Sequence, residues 1–171
     1  MKIHVIDSQH KNEFNGMKRN ICIAALFLVS GLFTTVQAQV SPREEVQSVI
    51  ETLFEGMLEA DGEKVASSFY TEAIMQTIAK NEEGVPVVRN GDAAAFINSI
   101  NSAQPGQLNE KIGGYEIKID GELASAWTPY EFYVGEDFSH CGVNYFQLMK
   151  TEDGWKIFHI VDTRRQDNCI E

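Results

Sequence analysis

Apolar positions change their period at Gly113: before it they recur every three or four residues, and after it every second residue. Val46, Ile50, Leu53, Phe54 and Met57 form one such stripe, with Glu45, Gln47, Glu51 and Glu55 between them, which predicts an amphipathic helix. Ser41-Pro42-Arg43-Glu44 marks its start, because Ser41 can cap, Pro42 suits the first helical position and Glu44 can close a capping box. Ala60-Asp61-Gly62 ends it, and a shorter helix follows with Val65, Ala66 and Phe69. Ile74 to Ile78 and Val85 to Arg89 read as a minor hairpin across Asn81-Glu82-Glu83-Gly84, with Pro86 confining the second run to a sheet edge. Asn90-Gly91-Asp92 gives a turn and a cap for a third helix with Ala93, Phe96, Ile97 and Ile100, and Ser102 to Gln107 is a loop.

From Gly113 on, Tyr115, Ile117 and Ile119 alternate with Glu116 and Lys118, and Asp120-Gly121 makes a turn. Leu123 to Val134, Phe138 to Lys150 and Trp155 to Thr163 then complete a four-stranded antiparallel meander, with Asp153-Gly154 supplying the last hairpin turn. Helices first and long strands second predict an α+β domain in which about three N-terminal helices cover the concave face of a strongly curved sheet. No repeat or interdomain linker interrupts it, and the 171 residues, 43% apolar and 23% charged, suit one domain.

The N-terminal segment changes this picture. Lys18 and Arg19 precede an apolar run from Ile21 to Phe33 and the small-residue site Val36-Gln37-Ala38, the order of a secretory signal peptide over residues 17–38. The run is too short for a spanning helix, which needs roughly 20 apolar residues. Residues 1–16 are patternless and stop before a second methionine, as expected of a non-native upstream extension; the domain then occupies 39–171, exported to the periplasm or beyond. Residues 1–38 carry four bases and two acids, so their removal moves the formal charge from −11 to −13. Such an acidic domain repels nucleic-acid backbones and anionic membrane surfaces.

The order helix, Ala-Asp-Gly turn, helix with Phe69-Tyr70, small hairpin, helix, then strands ending in Asp153-Gly154-Trp155-Lys156-Ile157 resembles the nuclear transport factor 2-like superfamily and its SnoaL-like bacterial branch. The resemblance covers residues 42–165. It implies a conical α+β barrel with a pocket between helices and sheet, often dimeric through the sheet. The superfamily holds isomerases, dehydratases, epoxide hydrolases and non-enzymatic members, so it leaves the chemistry open.

Strand pairing proposes a pocket wall. With Lys150 opposite Trp155, Phe146 faces His159 and Asn144 faces Val161; with a three-residue turn between Val134 and Phe138, Phe132 faces His140 and Thr128 faces Asn144. Thr128, Tyr130, His140, Asn144 and His159 then share one face with Phe132, Phe146, Leu148, Trp155 and Ile157, the mixture expected of a small-molecule site. A one-residue slip would move a strand to the other face. His159 can be a satisfied core histidine or a general base, since histidine titrates near neutral pH. Asp162 and the pair Arg164-Arg165 at the sheet's end are expected as a structural staple in preference to an anion site, and Trp127 and Trp155 are expected in the core.

Motifs for metals, phosphate loops and nucleophile elbows are missing from the sequence, so neither cofactor nor metal is expected. Three functions stay open: a non-catalytic binding or accessory protein for a small apolar or aromatic molecule, an isomerase or hydratase with His159 as base and Tyr130 or Asn144 polarising the substrate, and a pocketless protein-interaction domain. Once Cys22 leaves with the signal, Cys141 and Cys169 form an even pair, expected to be a disulfide in an oxidising compartment.

Overall fold

Ser41 starts the first helix in the way its sequence requires. Its hydroxyl accepts from the Glu44 amide at 3.3 Å while the Glu44 carboxylate accepts from the Ser41 amide at 2.8 Å, closing the capping box of α1 (Pro42–Glu59). The computed structural model describes residues 40–169, so the expected extension 1–16 and signal peptide 17–38 lie outside the described residues. Ala60 ends α1 at φ 58°, Asp61 caps α2 (Gly62–Ser68), and β1 (Phe69–Lys80) and β2 (Pro86–Gly91) form the small hairpin. Asp92 caps α3 (Ala93–Asn101); β3 (Leu108–Ile112), β4 (Glu116–Asp120), β5 (Leu123–Val134), β6 (Asp137–Thr151) and β7 (Gly154–Thr163) follow.

The strands form one sheet in the order β2-β1-β7-β6-β5-β3, with β4 on the other half of the β5 edge. β1 and β7 pair in parallel; the other pairs are antiparallel. This is the expected α+β cone: a curved sheet with three helices on its concave face. Val46, Ile50 and Leu53 of α1 pack with Phe146, Leu148, Trp155 and Ile157 in the core, and full burial of each such side chain contributes about 1.5–3 kcal/mol. Two details differ from expectation. Trp127 is 46% exposed on the convex face, whereas Trp155 is buried. The sequence pattern also passes over β3, whose central position is the charged Glu110 between Leu108 and Ile112.

Two single-residue irregularities set the faces. The β5–β6 turn has two residues instead of three, with Val134 opposite Asp137, and an extra residue at Ser139 restores the expected pairing of Phe132 with His140. The β6–β7 turn is as expected, with Lys150 opposite Trp155 and Leu148 opposite Ile157, but Phe158 is then extra. Phe146 therefore faces Ile160, and Asn144 faces Asp162 instead of Val161. His159, expected on the pocket face, sits opposite Gln147 on the other face, and its ring nitrogens lie 3.3 Å from Gln147 Oε1 and 3.0 Å from Gln76 Oε1. The bulge replaces it inside with Ile160, Asp162 and Arg164.

Candidate functional site

Beyond the packed half of the cone, the concave face opens into a cavity of about 350 Å³. Its apolar walls come from Leu53, Phe54 and Met57 of α1, Phe96 and Ile100 of α3, and Met75, Phe132 and Ile160 of the sheet. Its polar end holds Glu110, Tyr130, His140, Asn144, Asp162 and Arg164, brought from four different strands or strand ends.

Gly142 makes this end possible. A Cβ there would lie 1.8 Å from the Thr163 carbonyl oxygen and 2.9 Å from Tyr130 Cε1, so the Thr163 carbonyl fills the space that a side chain would take, with the Tyr130 ring against it. Its hydroxyl donates to the Thr163 carbonyl at 2.9 Å and lies 3.4 Å from Asp162 Oδ2. Asp162 also accepts from Thr77 Oγ1 at 2.5 Å and from Arg164 Nε at 2.7 Å, so this carboxylate is well satisfied. Glu110 accepts from Asn144 Nδ2 at 2.6 Å.

Burial pushes the Glu110 carboxyl up to about 7, with the Asp162 charge acting in the same direction against the Asn144 hydrogen bond and the more distant Arg164. Burial also raises Tyr130, helped by Asp162 and Glu110, so it stays a neutral phenol. His140 is lowered by burial and then by Arg164; its Nδ1 is 3.0 Å from Ser139 Oγ, and its ring meets those of Tyr130 and Phe132 at 5.7 and 5.1 Å between centroids. The site can therefore hold an apolar body and offer, at one end, a carboxyl group poised between its two states near neutral pH.

Of the residues expected on this wall, the structure brings together Tyr130, His140 and Asn144. Thr128 is fully buried beneath it, its hydroxyl 3.4 Å from the Asn144 carbonyl oxygen, and His159 is on the opposite face. Sequence reasoning missed Glu110 and treated Asp162 and Arg164 as a staple. Their ion pair is real, but both residues also line the cavity. The signal for Glu110 was an acid at an inward position between Leu108 and Ile112. Among the described residues, no group of three or more His, Cys, Asp or Glu is placed to hold a metal ion, and no helix is long and apolar enough to cross a membrane.

Beside the mouth, Cys141 and Cys169 are joined, with Cα atoms 5.7 Å apart. Unbroken pairing from Lys150 opposite Trp155 would set Cys141 against Arg164; the bulge makes its partner Arg165, whose amide and carbonyl exchange hydrogen bonds with those of Cys141 at 2.9 and 2.8 Å. The tail is thus tied to β6 on either side of the chain turn at Asn168, which has φ 49°.

The sequence profile of a protein family described as "Putative lumazine-binding" matches residues 41–161. Among solved structures, the chain is similar to an NTF2-like protein with a cystatin-like fold from Novosphingobium aromaticivorans, at 15% identity and TM-score 0.58 over 74% of this chain and 84% of that one. It is also similar to an NTF2-like protein of unknown function from Shewanella baltica, at 16% identity and TM-score 0.56 over 73% and 94%. A third is a "putative dehydratase from the NTF2-like family" of Streptomyces avermitilis, at 15% identity and TM-score 0.55 over 71% and 94%. At these identities the likeness shows the nuclear transport factor 2-like fold alone. No curated protein matches the chain.

Proposed function

Because the chain belongs to the family described as "Putative lumazine-binding", we propose that it is an exported binding protein whose cone holds one small, flat, mostly apolar molecule. The observation that carries this reading is the cavity of about 350 Å³, apolar on three sides and polar at one end, within the range of roughly 300–1,000 Å³ usual for ligand sites. Lumazine, a bicyclic heteroaromatic dione, has the shape that such a slot admits. Titration of lumazine, followed by its own fluorescence anisotropy, tests the proposal. Saturable binding is expected, lost in Ser99→Trp, which plugs the rim from an exposed position on α3. Absence of binding, or binding unaffected by the plug, would count against the cone as the site.

Lys18-Arg19, the apolar run from Ile21 to Phe33 and the small-residue site Val36-Gln37-Ala38 support export, as does the joined cysteine pair. Mass spectrometry of the mature protein is expected to find Gln39 at its N-terminus. Exposed Leu123 and Trp127 on the uncovered sheet face support a homodimer, which sedimentation would reveal.

One observation favours an enzymatic reading: the Glu110 carboxyl, pushed up to about 7 inside the cavity, meets the requirement for a general acid or base at neutral pH. Glu110 takes the role first given to His159, which does not reach the cavity. On this reading the protein removes or adds water across a bond next to a carbonyl, and Glu110→Gln abolishes turnover.

A further inference from the structure

We infer that the molecule held in the cone carries a basic nitrogen, and that Glu110 is the residue that pairs with it. This rests on the cone being a ligand site and specifies the charge of its occupant.

The inference follows from which charges in the cavity are already matched. Asp162 and Arg164 pair at 2.7 Å, and Asp162 takes a further hydrogen bond from Thr77, with the Tyr130 hydroxyl 3.4 Å away. Glu110 has no such counterpart. Among the described residues it makes no ion pair, and its hydrogen-bond partner is the neutral Asn144 amide, which engages one of its two oxygens. An ionised Glu110 in the empty cone is therefore a negative charge with no cation in contact with it, Arg164 acting on it only from a distance, close to a second carboxylate and walled by apolar side chains. A protein cannot leave such a charge bare; it takes up either a proton or a ligand cation. Phe96, Phe132 and Tyr130 add ring faces and edges to the same chamber, and ring faces attract organic cations. Asp92 at the rim and the net charge of −11 draw cations towards the mouth. A carboxylate ligand would meet Glu110 and Asp162, and Arg164, the one Lys or Arg side chain lining the cavity among the described residues, already gives its Nε to Asp162.

Binding of a cation must also displace a proton, because burial holds Glu110 near 7. The groups facing it are Asp162 from β7 and Arg164 just past its end, Tyr130 from β5, and Asn144 and His140 from β6; Asp92 stands at the α3 rim, and α1 presents Leu53, Phe54 and Met57, which do not titrate. His140 is lowered by burial and so moves away from Glu110 in its titration.

Benzamidine, benzamide and benzoate share one ring and differ in charge, and calorimetric titration of each into the intact protein tests the inference. Benzamidine is expected to bind at least about tenfold tighter than benzamide, with benzoate weakest and the neutral dione lumazine nearer benzamide. Its affinity rises between about pH 6 and about pH 8, and near neutrality its binding heat depends on the buffer because Glu110 releases a proton. The heat needs no variant, so it stands even if substitutions perturb folding. Glu110→Gln is expected to bring benzamidine down to the benzamide level and leave benzamide unchanged. Benzoate or benzamide binding as tightly as benzamidine, or a benzamidine preference that survives Glu110→Gln without proton release, would overturn the inference and leave the cone a ligand site. Silence from all three compounds would overturn the inference, and silence from lumazine as well would overturn the cone as a ligand site.

Discussion

The hairpins β5–β6 and β6–β7 each carry one extra residue, Ser139 and Phe158, with opposite consequences. In the first, the insertion lies beside the tip and cancels a turn one residue shorter than the pattern implies, so His140 and everything towards Asn144 keep their face. In the second, the insertion lies in mid-strand behind a turn of the expected length, and nothing later cancels it. Every residue after Phe158 changes sides. A bulge near a turn adjusts register; a bulge within a strand reassigns chemistry, here exchanging His159 for Asp162 and Arg164 on the cavity wall.

Deleting Phe158 is the strongest way to break this comparison. It would return His159, Val161 and Thr163 to the inner face and expel Ile160 and Asp162, and a loss of more than about 4 kcal/mol, or no folded protein, is expected in urea unfolding. Next comes the polar end that the bulge creates. Glu110 has a folded-state value of about 7 against 4.5 unfolded, so the native state binds the extra proton between those values, and stability falls as pH rises through that window. The loss is up to about 3 kcal/mol, and Glu110→Gln is expected to flatten the slope. Deleting Ser139 should reach only the tip residues Asp137 and Phe138, at about 1–2 kcal/mol by the same unfolding measurement. His159→Ala should change stability by less than about 1 kcal/mol and leave ligand binding unaltered, since His159 faces Gln147 on the other side of the sheet and does not line the cavity.

The elements that the sequence disclosed are those in which local chemistry and tertiary packing agree. Ser41 and Glu44 close their capping box in either context, Asp92 caps α3, and Pro86 lies at an edge. Tyr130, His140 and Asn144 were legible because alternation carries through β5 and most of β6. Glu110 was not, because a strand is recognised by apolar inward positions and this one uses its central inward position for function. Asp162 was visible as a charge beside Arg164 but not as a cavity residue. Nothing local in Ile157-Phe158-His159-Ile160 announces a bulge, since all four residues suit a strand on either face. The disulfide needed only the cysteine count, although its backbone partner is Arg165 where strict alternation names Arg164.

The parallel pairing of β1 with β7 governs how the chain can be made. Thr77 and Asp162, which meet in the cavity, are 85 positions apart, and β7 is the strand that joins β2-β1 to β6-β5-β3. A nascent chain that stops before Gly154 holds two separate half-sheets with bare edges on β1 and β6, which are templates for pairing with other chains. Assembly of the whole sheet must await the last strand, so both edges stay open to pairing with other chains until Gly154–Thr163 has been made.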